Sequence, residues 1–212
     1  MYAKKNSGKK ILAMALAVVL LIGVGVGGTL AWLTATSGTV TNTFTVGDVN
    51  IELKEHDLVN GELTNDEVVE ENTYKVLPGT TQPKDPFVRV LANSEDSWIF
   101  VQVKEVNNTA GTDLKYVEWA IDNSIWTHLE TNGNIHTYVL TNKYTTKDAN
   151  ETYNVLLNQT VTYNNDLTKA MLDTVTDNTK PQLIFKAFAV QEEAATTAAD
   201  AWAKIDTAAK LS

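Results

Sequence analysis

The side chains of this sequence best suited to metal or proton-transfer chemistry are three histidines: His56, His128 and His136. None lies in an H-E-x-x-H segment, where two imidazoles one helical turn apart bind zinc beside a glutamate base. His56 precedes Asp57 in a segment predicted to be a loop. The histidine spacing therefore gives no support to a zinc hydrolase.

The other two histidines lie on the two strands of a predicted hairpin, one before its turn and one after it. Asn132-Gly133 suits the positive φ angles of a type I′ turn. With these two residues as the loop, Leu129 faces His136 and His128 faces Thr137. Neighbours along a strand point to opposite sides, so His128 and His136 are expected on opposite faces unless a one-residue bulge changes the register.

Other reactive groups are scarce. The chain has no cysteine, so it has no disulfide and no thiolate for catalysis or metal binding. It also lacks a Gly-x-Ser-x-Gly nucleophile elbow. Acidic groups at Glu67–Glu71 and Asp122-Asn123 offer oxygen ligands to calcium, but without EF-hand spacing, and solvated loops are the favoured interpretation. The sequence predicts a non-catalytic protein with no cofactor and leaves calcium open.

The N-terminus is typical of an export signal. Four lysines, at positions 4, 5, 9 and 10, precede an apolar run over residues 11–26 and the small-residue sequence Thr29-Leu30-Ala31. We expect cleavage after Ala31, with Trp32 as the new N-terminus. The alternative is a retained anchor, since the apolar segment counted through Leu33 is long enough to span a bilayer. The sequence thus predicts export, with membrane contact only before cleavage.

The charge of the chain is strongly acidic. The full sequence has 26 acidic and 17 basic residues, and removal of residues 1–31 takes away four of the basic ones, which leaves a net charge of −13. A nucleic-acid-binding protein needs a basic face for the phosphate backbone. The charge therefore excludes nucleic acid as a partner.

The body of the chain alternates apolar and polar residues in short runs separated by turn signals, which is typical of an all-β sandwich or jelly roll. Leu77-Pro78-Gly79 is predicted to be a turn, and the acidic segment 57–73 an exposed loop containing Asn60-Gly61. Short helices are predicted over Asp166–Asp177 and, near the C-terminus, over Ala194–Ala209 with Ala198, Trp202 and Ile205 on one stripe. The predicted strands are Asp48–Glu55, Phe87–Leu91, Trp98–Glu105, Tyr116–Ile121, Ile125–Glu130, Ile135–Leu140, Tyr153–Tyr163 and Leu183–Gln191.

The apolar pattern changes phase beside Gly47-Asp48. Val40, Phe44 and Val46 occupy even positions, whereas the apolar residues of 49–53 occupy odd ones. Because the side-chain period of a strand is two, one regular strand cannot present both sets to the same core. Either Gly47 is a bulge in an edge strand folded on its own sheet, or two strands meet at a hinge. In the second case the first strand is free to pair with another subunit, and a head-to-tail contact of this kind builds a filament.

A series of motifs in a fixed order resembles the TasA/camelysin family, exported proteins of Gram-positive bacteria that a SipW-type signal peptidase cuts. The resemblance covers nearly the whole chain. It rests on Gly27–Ala31, Asn42–Leu53, Val76-Leu77-Pro78-Gly79, Lys84–Val88, Ser94–Val103, Phe185–Gln191 and Ala199–Trp202. The segments Gly133–Tyr138 and 57–73 depart from the pattern.

The resemblance implies a jelly-roll β-sandwich over residues 47–212, preceded by a signal peptide over 1–31. For TasA it also implies biofilm matrix fibres in which the N-terminal strand of one subunit completes the sheet of the next. On this chain the donor strand is 32–46, with Leu33, Val40, Phe44 and Val46 filling pockets and Gly47-Asp48 as the hinge. The implied partners are other copies of the chain and the signal peptidase, at the cell surface or in the extracellular matrix. Two alternatives are a monomeric surface adhesin or accessory matrix protein and, because camelysin is classed as a metalloprotease, a protease.

Overall fold

The computed structural model describes residues 49–69, 72, 74, 76–111 and 113–212, without the side chains of 65–67. All of these residues belong to one compact unit of the chain, Val46–Ser212. The predicted jelly-roll domain, 47–212, covers nearly the same range. The predicted signal peptide and donor strand lie outside the described residues.

Short antiparallel strands dominate this unit. They are β1 (Ile51–Val59), β2 (Glu62–Val69), β3 (Thr81–Pro83), β4 (Phe87–Val90), β5 (Ser97–Val106), β6 (Thr109–Ala110), β7 (Leu114–Lys115), β8 (Val117–Glu118), β9 (Trp126–Asn132), β10 (Ile135–Leu140), β11 (Glu151–Asn154), β12 (Thr160–Tyr163) and β13 (Gln182–Gln191). The helices are α1 (Lys169–Asp173) and α2 (Ala198–Lys204), with single 3-10 turns at Leu157–Gln159, Glu192–Ala194 and Thr207–Ala209. The predicted all-β fold class, with short accessory helices and one of them near the C-terminus, is confirmed.

Two four-stranded sheets enclose the main core. One has the order β11-β4-β1-β2 and the other β13-β5-β10-β9, and a smaller sheet, β3-β12-β8, lies beside them. Val88 and Val90 of the first sheet meet Ile99, Val101 and Val103 of the second in one buried cluster. The odd positions of β5 therefore face the core, as strand periodicity requires.

The outer face of the second sheet is covered by the C-terminal segment. Phe100 of β5 and Phe188 of β13 contact the ring of Trp202, with centroids 5.3 and 5.4 Å from it. Thr197 caps α2 by accepting a hydrogen bond from the Asp200 backbone N–H. The predicted stripe of α2 is confirmed, because Ala198 and Ile205 pack against the same cluster. Coverage of β5 on both faces explains its unbroken apolar run from Trp98 to Val101.

Both predicted helices are shorter than expected. The C-terminal one ends at Lys204 because Ile205 is extended, and Asp206 then caps a separate 3-10 turn through the Ala208 N–H. The earlier one begins only after Thr168, whose hydroxyl accepts from the Met171 N–H. In both cases a side-chain cap, rather than the apolar spacing, sets the boundary.

The prediction of an acidic loop over 57–73 is wrong for most of its length. β1 continues to Val59, which pairs with Glu62, so that Asn60 and Gly61 form the loop of a β1–β2 hairpin. Their φ angles are +55° and +88°, as a type I′ turn requires. Glu62, Asp66 and Glu67 therefore lie on the edge strand β2.

The predicted register of the β9–β10 hairpin is also wrong. Asn132 pairs with Ile135, so the loop is Gly133-Asn134, with Gly133 at φ +60°. A register shift then follows, since Thr137 pairs with Glu130 whereas Tyr138 pairs with His128. Leu129 is the extra residue of this bulge, and it brings His128 onto the same face as His136.

The predicted strand Tyr153–Tyr163 is divided between two sheets. β11 pairs with β4, whereas β12 pairs with β3 and β8. Between them Asn158 and Gln159 adopt φ angles of +55°. Positive φ ends a strand, and the chain crosses from one sheet to the other at this point.

Candidate functional site: the outer edge of β13 and the groove beside it

The longest strand at a sheet edge is β13, and all ten of its residues pair with β5 on one side. On its other side no described strand pairs with it. In an antiparallel ladder alternate residues direct their N–H and C=O groups away from the partner. Residues 182–190, which we call the acceptor edge, therefore present backbone groups to a further strand.

Beside the first half of this edge lies a groove of about 650 Å³, which we call the acceptor groove. It runs between β13, β1 and the small sheet. Its apolar lining includes Leu53, Val76, Val161, Val175, Leu183 and Phe185. These residues are only partly buried except for Val161, so the two sheets leave apolar surface uncovered here.

A buried ion pair also lines the acceptor groove. Lys84 Nζ lies 2.8 Å from Glu55 Oε2, and the two side chains are 11% and 7% exposed. The same ammonium lies 4.7 Å from the ring centroid of Tyr74 and 5.5 Å from that of Phe185. The loss of hydration of these two buried charges is offset only by their mutual attraction.

Two tyrosines add polar groups to the groove. The Tyr74 hydroxyl oxygen is buried beside the Glu55 carboxylate. Burial raises the pKa of Tyr74 well above its usual value, and the carboxylates of Glu55 and Asp85 raise it further. Burial also raises the pKa of Tyr163 to about 12, and its hydroxyl lies 3.3 Å from Gln82 Oε1. Both tyrosines are therefore neutral hydroxyl groups at neutral pH.

The residues next to the ion pair form a second polar contact between the same two segments. Asp85 accepts a hydrogen bond from the His56 backbone N–H, and its other carboxylate oxygen lies 2.5 Å from His56 Nδ1. Lys84-Asp85 is thus tied to Glu55-His56 by two side-chain contacts. His56, which the sequence placed in a loop, is a structural residue of β1.

The described residues contain no group of three or more His, Asp or Glu side chains placed to hold a metal ion. Asp122, one of the calcium candidates, instead accepts hydrogen bonds from the backbone and hydroxyl of Ser124. The side chains of Glu67, Glu70 and Glu71, the other calcium candidates, lie outside the described part of the chain.

The site residues predicted from sequence all lie in the part of the chain that the structure does not describe. They are the cleavage residues Ala31 and Trp32, the pocket-filling residues Leu33, Val40, Phe44 and Val46, and the hinge residues Gly47 and Asp48. Their roles stay predictions.

The residues of the acceptor groove, by contrast, were missed by sequence analysis. Glu55, Lys84 and Phe185 come from three distant parts of the chain, and no local pattern marks them as neighbours. The only available signal was the position of Lys84-Asp85 directly before a buried strand.

Comparisons with protein-family models, with curated proteins and with solved structures find no match to this chain. No helix within the described residues has the length and apolar character needed to cross a bilayer.

Proposed function

We propose that this chain is an exported structural subunit that polymerises head-to-tail into extracellular fibres. In this proposal residues 32–46 of one subunit add a strand to the acceptor edge of the next, and their apolar side chains enter the acceptor groove. The observation that carries the proposal is the acceptor edge of β13, with which no described strand pairs, lying beside an apolar groove.

The lengths of donor and acceptor are compatible. At about 3.3 Å per residue, β13 extends over roughly 33 Å and the 15-residue donor over roughly 50 Å. The donor can therefore pair along the whole edge and still leave residues to connect to its own domain. Main-chain hydrogen bonds along such an edge give affinity, and alternate side chains give specificity.

The side chains of donor and groove are also compatible. The positions of Val40, Phe44 and Val46 differ by even numbers, so in a strand the three side chains project from one face. That face matches the apolar lining contributed by Leu183 and Phe185. The intervening threonines at 41, 43 and 45 project to the other side, which suits a solvated surface.

The other sheet edges fit this role less well. β11 is only four residues long, β9 carries the bulge at Leu129, and β2 has the acidic sequence ELTNDEVV. A bulge disrupts the regular ladder that an added strand needs, and like charges on an acidic chain oppose its approach. β13 has neither feature, and its exposed lysine at 186 is opposite in sign to the net charge of the chain.

The test compares the mature chain 32–212 with the truncated chain 47–212. Size-exclusion chromatography against concentration and negative-stain electron microscopy give the outcome. We expect filaments from the mature chain and a folded monomer from the truncation. Filaments from the truncated chain would refute the mechanism, and a mature chain that stays monomeric at all concentrations would favour the monomeric adhesin.

A matched pair of point variants refines this test. Phe44→Asp places a charge on the donor face that enters the groove, whereas Thr43→Asp adds the same charge to the opposite face. We expect Phe44→Asp to abolish filaments and Thr43→Asp to retain them. Equal loss in both would mean that net charge, not groove filling, controls assembly.

A further inference from the structure

We propose that His128 and His136 form a binding site for a divalent transition-metal ion of the class that prefers imidazole nitrogen, with Cu²⁺ bound most tightly and Zn²⁺ less so. The site lies on the β9–β10 hairpin and does not depend on the proposed function.

The bulge at Leu129 makes the site possible. His136 pairs with Thr131, and His128 pairs with Tyr138, across the same two strands. Directly paired residues project to the same face, so these four side chains form one patch. Without the extra residue the two imidazoles would lie on opposite sides of the sheet.

A single hydroxyl marks the point on which the two rings converge. Thr131 Oγ1 lies 2.8 Å from His128 Nε2 and 3.2 Å from His136 Nδ1. The distance between the two ring nitrogens therefore cannot exceed the sum of these two contact distances. Two nitrogens bound to one tetrahedral Zn²⁺ lie roughly 3.4 Å apart, given Zn–N bonds of about 2.1 Å. His128 is exposed, and its ring contacts that of Tyr138 edge-on at 5.5 Å, so metal binding requires a rotation of this ring toward His136.

The Thr131 hydroxyl bridges the two rings, donating to one ring nitrogen and accepting from the other. A metal ion bound at this point would take a lone pair from each ring and replace both hydrogen bonds. The shared hydroxyl therefore marks a position within reach of a nitrogen from each imidazole.

The second nitrogen of His136 faces a carboxylate. His136 Nε2 lies 3.7 Å from Glu105 Oε1, a side chain that is 10% exposed. A carboxylate on one ring nitrogen favours the proton there and leaves the lone pair on the other, as in the carboxylate–histidine–metal arrangement. The ring is also held by Trp119, 5.5 Å away and edge-on. Nδ1, the atom in contact with the Thr131 hydroxyl, therefore carries the lone pair that a metal ion would bind.

The donor set determines the class of ion. Imidazole suits Cu²⁺, Ni²⁺ and Zn²⁺, and affinity rises along the series to Cu²⁺. Calcium and magnesium prefer oxygen ligands and are not expected here. With two protein ligands, the remaining positions belong to water, so binding is weaker than at structural zinc sites with four protein ligands.

The experiment is isothermal titration of the full-length, untagged chain with Cu²⁺ and, separately, Zn²⁺. His128→Ala and His136→Ala are compared with His56→Gln, which removes the remaining imidazole of the chain. We expect one saturable site, weakened more than about tenfold by either hairpin variant and unchanged in the His56 variant. Electron paramagnetic resonance of the Cu²⁺ complex should show two nitrogen ligands, and circular dichroism confirms that each variant is folded.

Three outcomes would overturn the proposal. They are the absence of saturable binding by the wild-type chain, binding that survives both hairpin variants, and binding that only one of the two variants weakens. Magnesium serves as the control ion and is expected to give no binding heat.

Discussion

Lys84 Nζ lies 2.8 Å from Glu55 Oε2, and this ion pair is buried in the wall of the acceptor groove. It joins β1 to the segment that enters β4, next to the second contact between His56 and Asp85. The groove thus has a polar part held by an ion pair and an apolar part formed by β13 and its neighbours. Its shape depends on both.

Breaking this pair should be costly. Glu55→Gln leaves the Lys84 ammonium buried without its counter-charge, and we expect a loss of about 3–5 kcal/mol in the free energy of unfolding. Urea denaturation of the truncated chain 47–212 measures it. The control is Glu52→Gln on the same strand, whose contact with Arg89 is 3.6 Å long and partly exposed. That change should cost less than about 1 kcal/mol.

A variant that lacks both charges distinguishes the cost of an unpaired buried charge from the cost of altered side-chain packing. The double variant Glu55→Leu/Lys84→Met should recover most of the stability that the single variant loses, since apolar residues of similar volume often replace a buried pair without cost. A double variant as unstable as the single one would mean that the side-chain geometry, rather than the uncompensated charge, is responsible.

Glu105 should make the fold sensitive to acid. Burial raises the pKa of this carboxyl, but hydrogen bonds from Lys115, Asn108 and Trp119 outweigh burial, and the net shift is downward. A folded-state pKa below the unfolded one means that the unfolded chain binds more protons as the pH falls. The contribution is complete above the unfolded pKa of about 4.3 and is lost as the pH falls through the folded value.

Glu105→Gln tests this linkage. We expect a loss of about 1.5–3 kcal/mol at neutral pH, the usual range for hydrogen bonds to a charged group. The variant should also lose less stability than the wild-type chain when the pH falls below about 4. Urea denaturation at several pH values measures both effects, and the exposed Glu95→Gln is the control. Parallel stability curves for wild type and Glu105→Gln would contradict the assignment.

Trp202 should hold the C-terminal segment on the second sheet. Its ring packs on Phe100 and Phe188, its Nε1 donates to Glu130 Oε1 at 2.7 Å, and the residue is 5% exposed. Trp202→Ala removes these contacts, and we expect a loss of about 3–5 kcal/mol in the free energy of unfolding. Lys204→Ala, an exposed position on the same helix, should change it by less than about 0.5 kcal/mol. Chemical denaturation of both variants gives the comparison.

The strands that sequence analysis placed best are those with the longest apolar runs. β5 and β13 were predicted to within one residue at each end. A run of strand-forming apolar residues is a local property, and neither strand contains a glycine or proline that would end it. The all-β class followed from the number of such runs.

Register and turn position could not be predicted in the same way. Asn-Gly occurs at 60–61 and at 132–133, and only the first forms the two-residue loop that the dipeptide favours. At the second, the pairing of β10 with β5 as well as with β9 competes with the local preference. The bulge at Leu129 results from this competition, and no local sequence pattern predicts it. It determines the face of the sheet to which His128 projects.

The acceptor groove could not be predicted from the sequence because it also depends on contacts between distant parts of the chain. Its ion pair joins residues 29 apart in sequence, and its apolar wall comes from β13, far along the chain. Burial of Lys84 depends on tertiary contacts with Tyr74 and Phe185. Charged residues are usually exposed, so nothing in the local sequence indicates that Lys84 is buried.

Disulfide cross-linking between two copies tests the central claim most directly, because the chain has no cysteine of its own. One copy carries Thr43→Cys or Thr45→Cys, beside Phe44 but on the opposite face of the donor strand. The other carries Ile184→Cys or Lys186→Cys, on the outer face of β13. A strand added to β13 brings matched positions to the short Cβ–Cβ distance of about 4 Å that a disulfide needs.

The two single-cysteine chains are mixed, oxidised and separated by non-reducing electrophoresis. Strand addition between subunits predicts a covalent heterodimer for one donor–acceptor combination in register, and loss of that band when Phe44→Asp is added to the donor chain. A second experiment, on a single chain that carries both cysteines, can contradict the claim. If it closes the disulfide within the monomer at all concentrations, while the mixed chains do not cross-link, the strand folds on its own sheet.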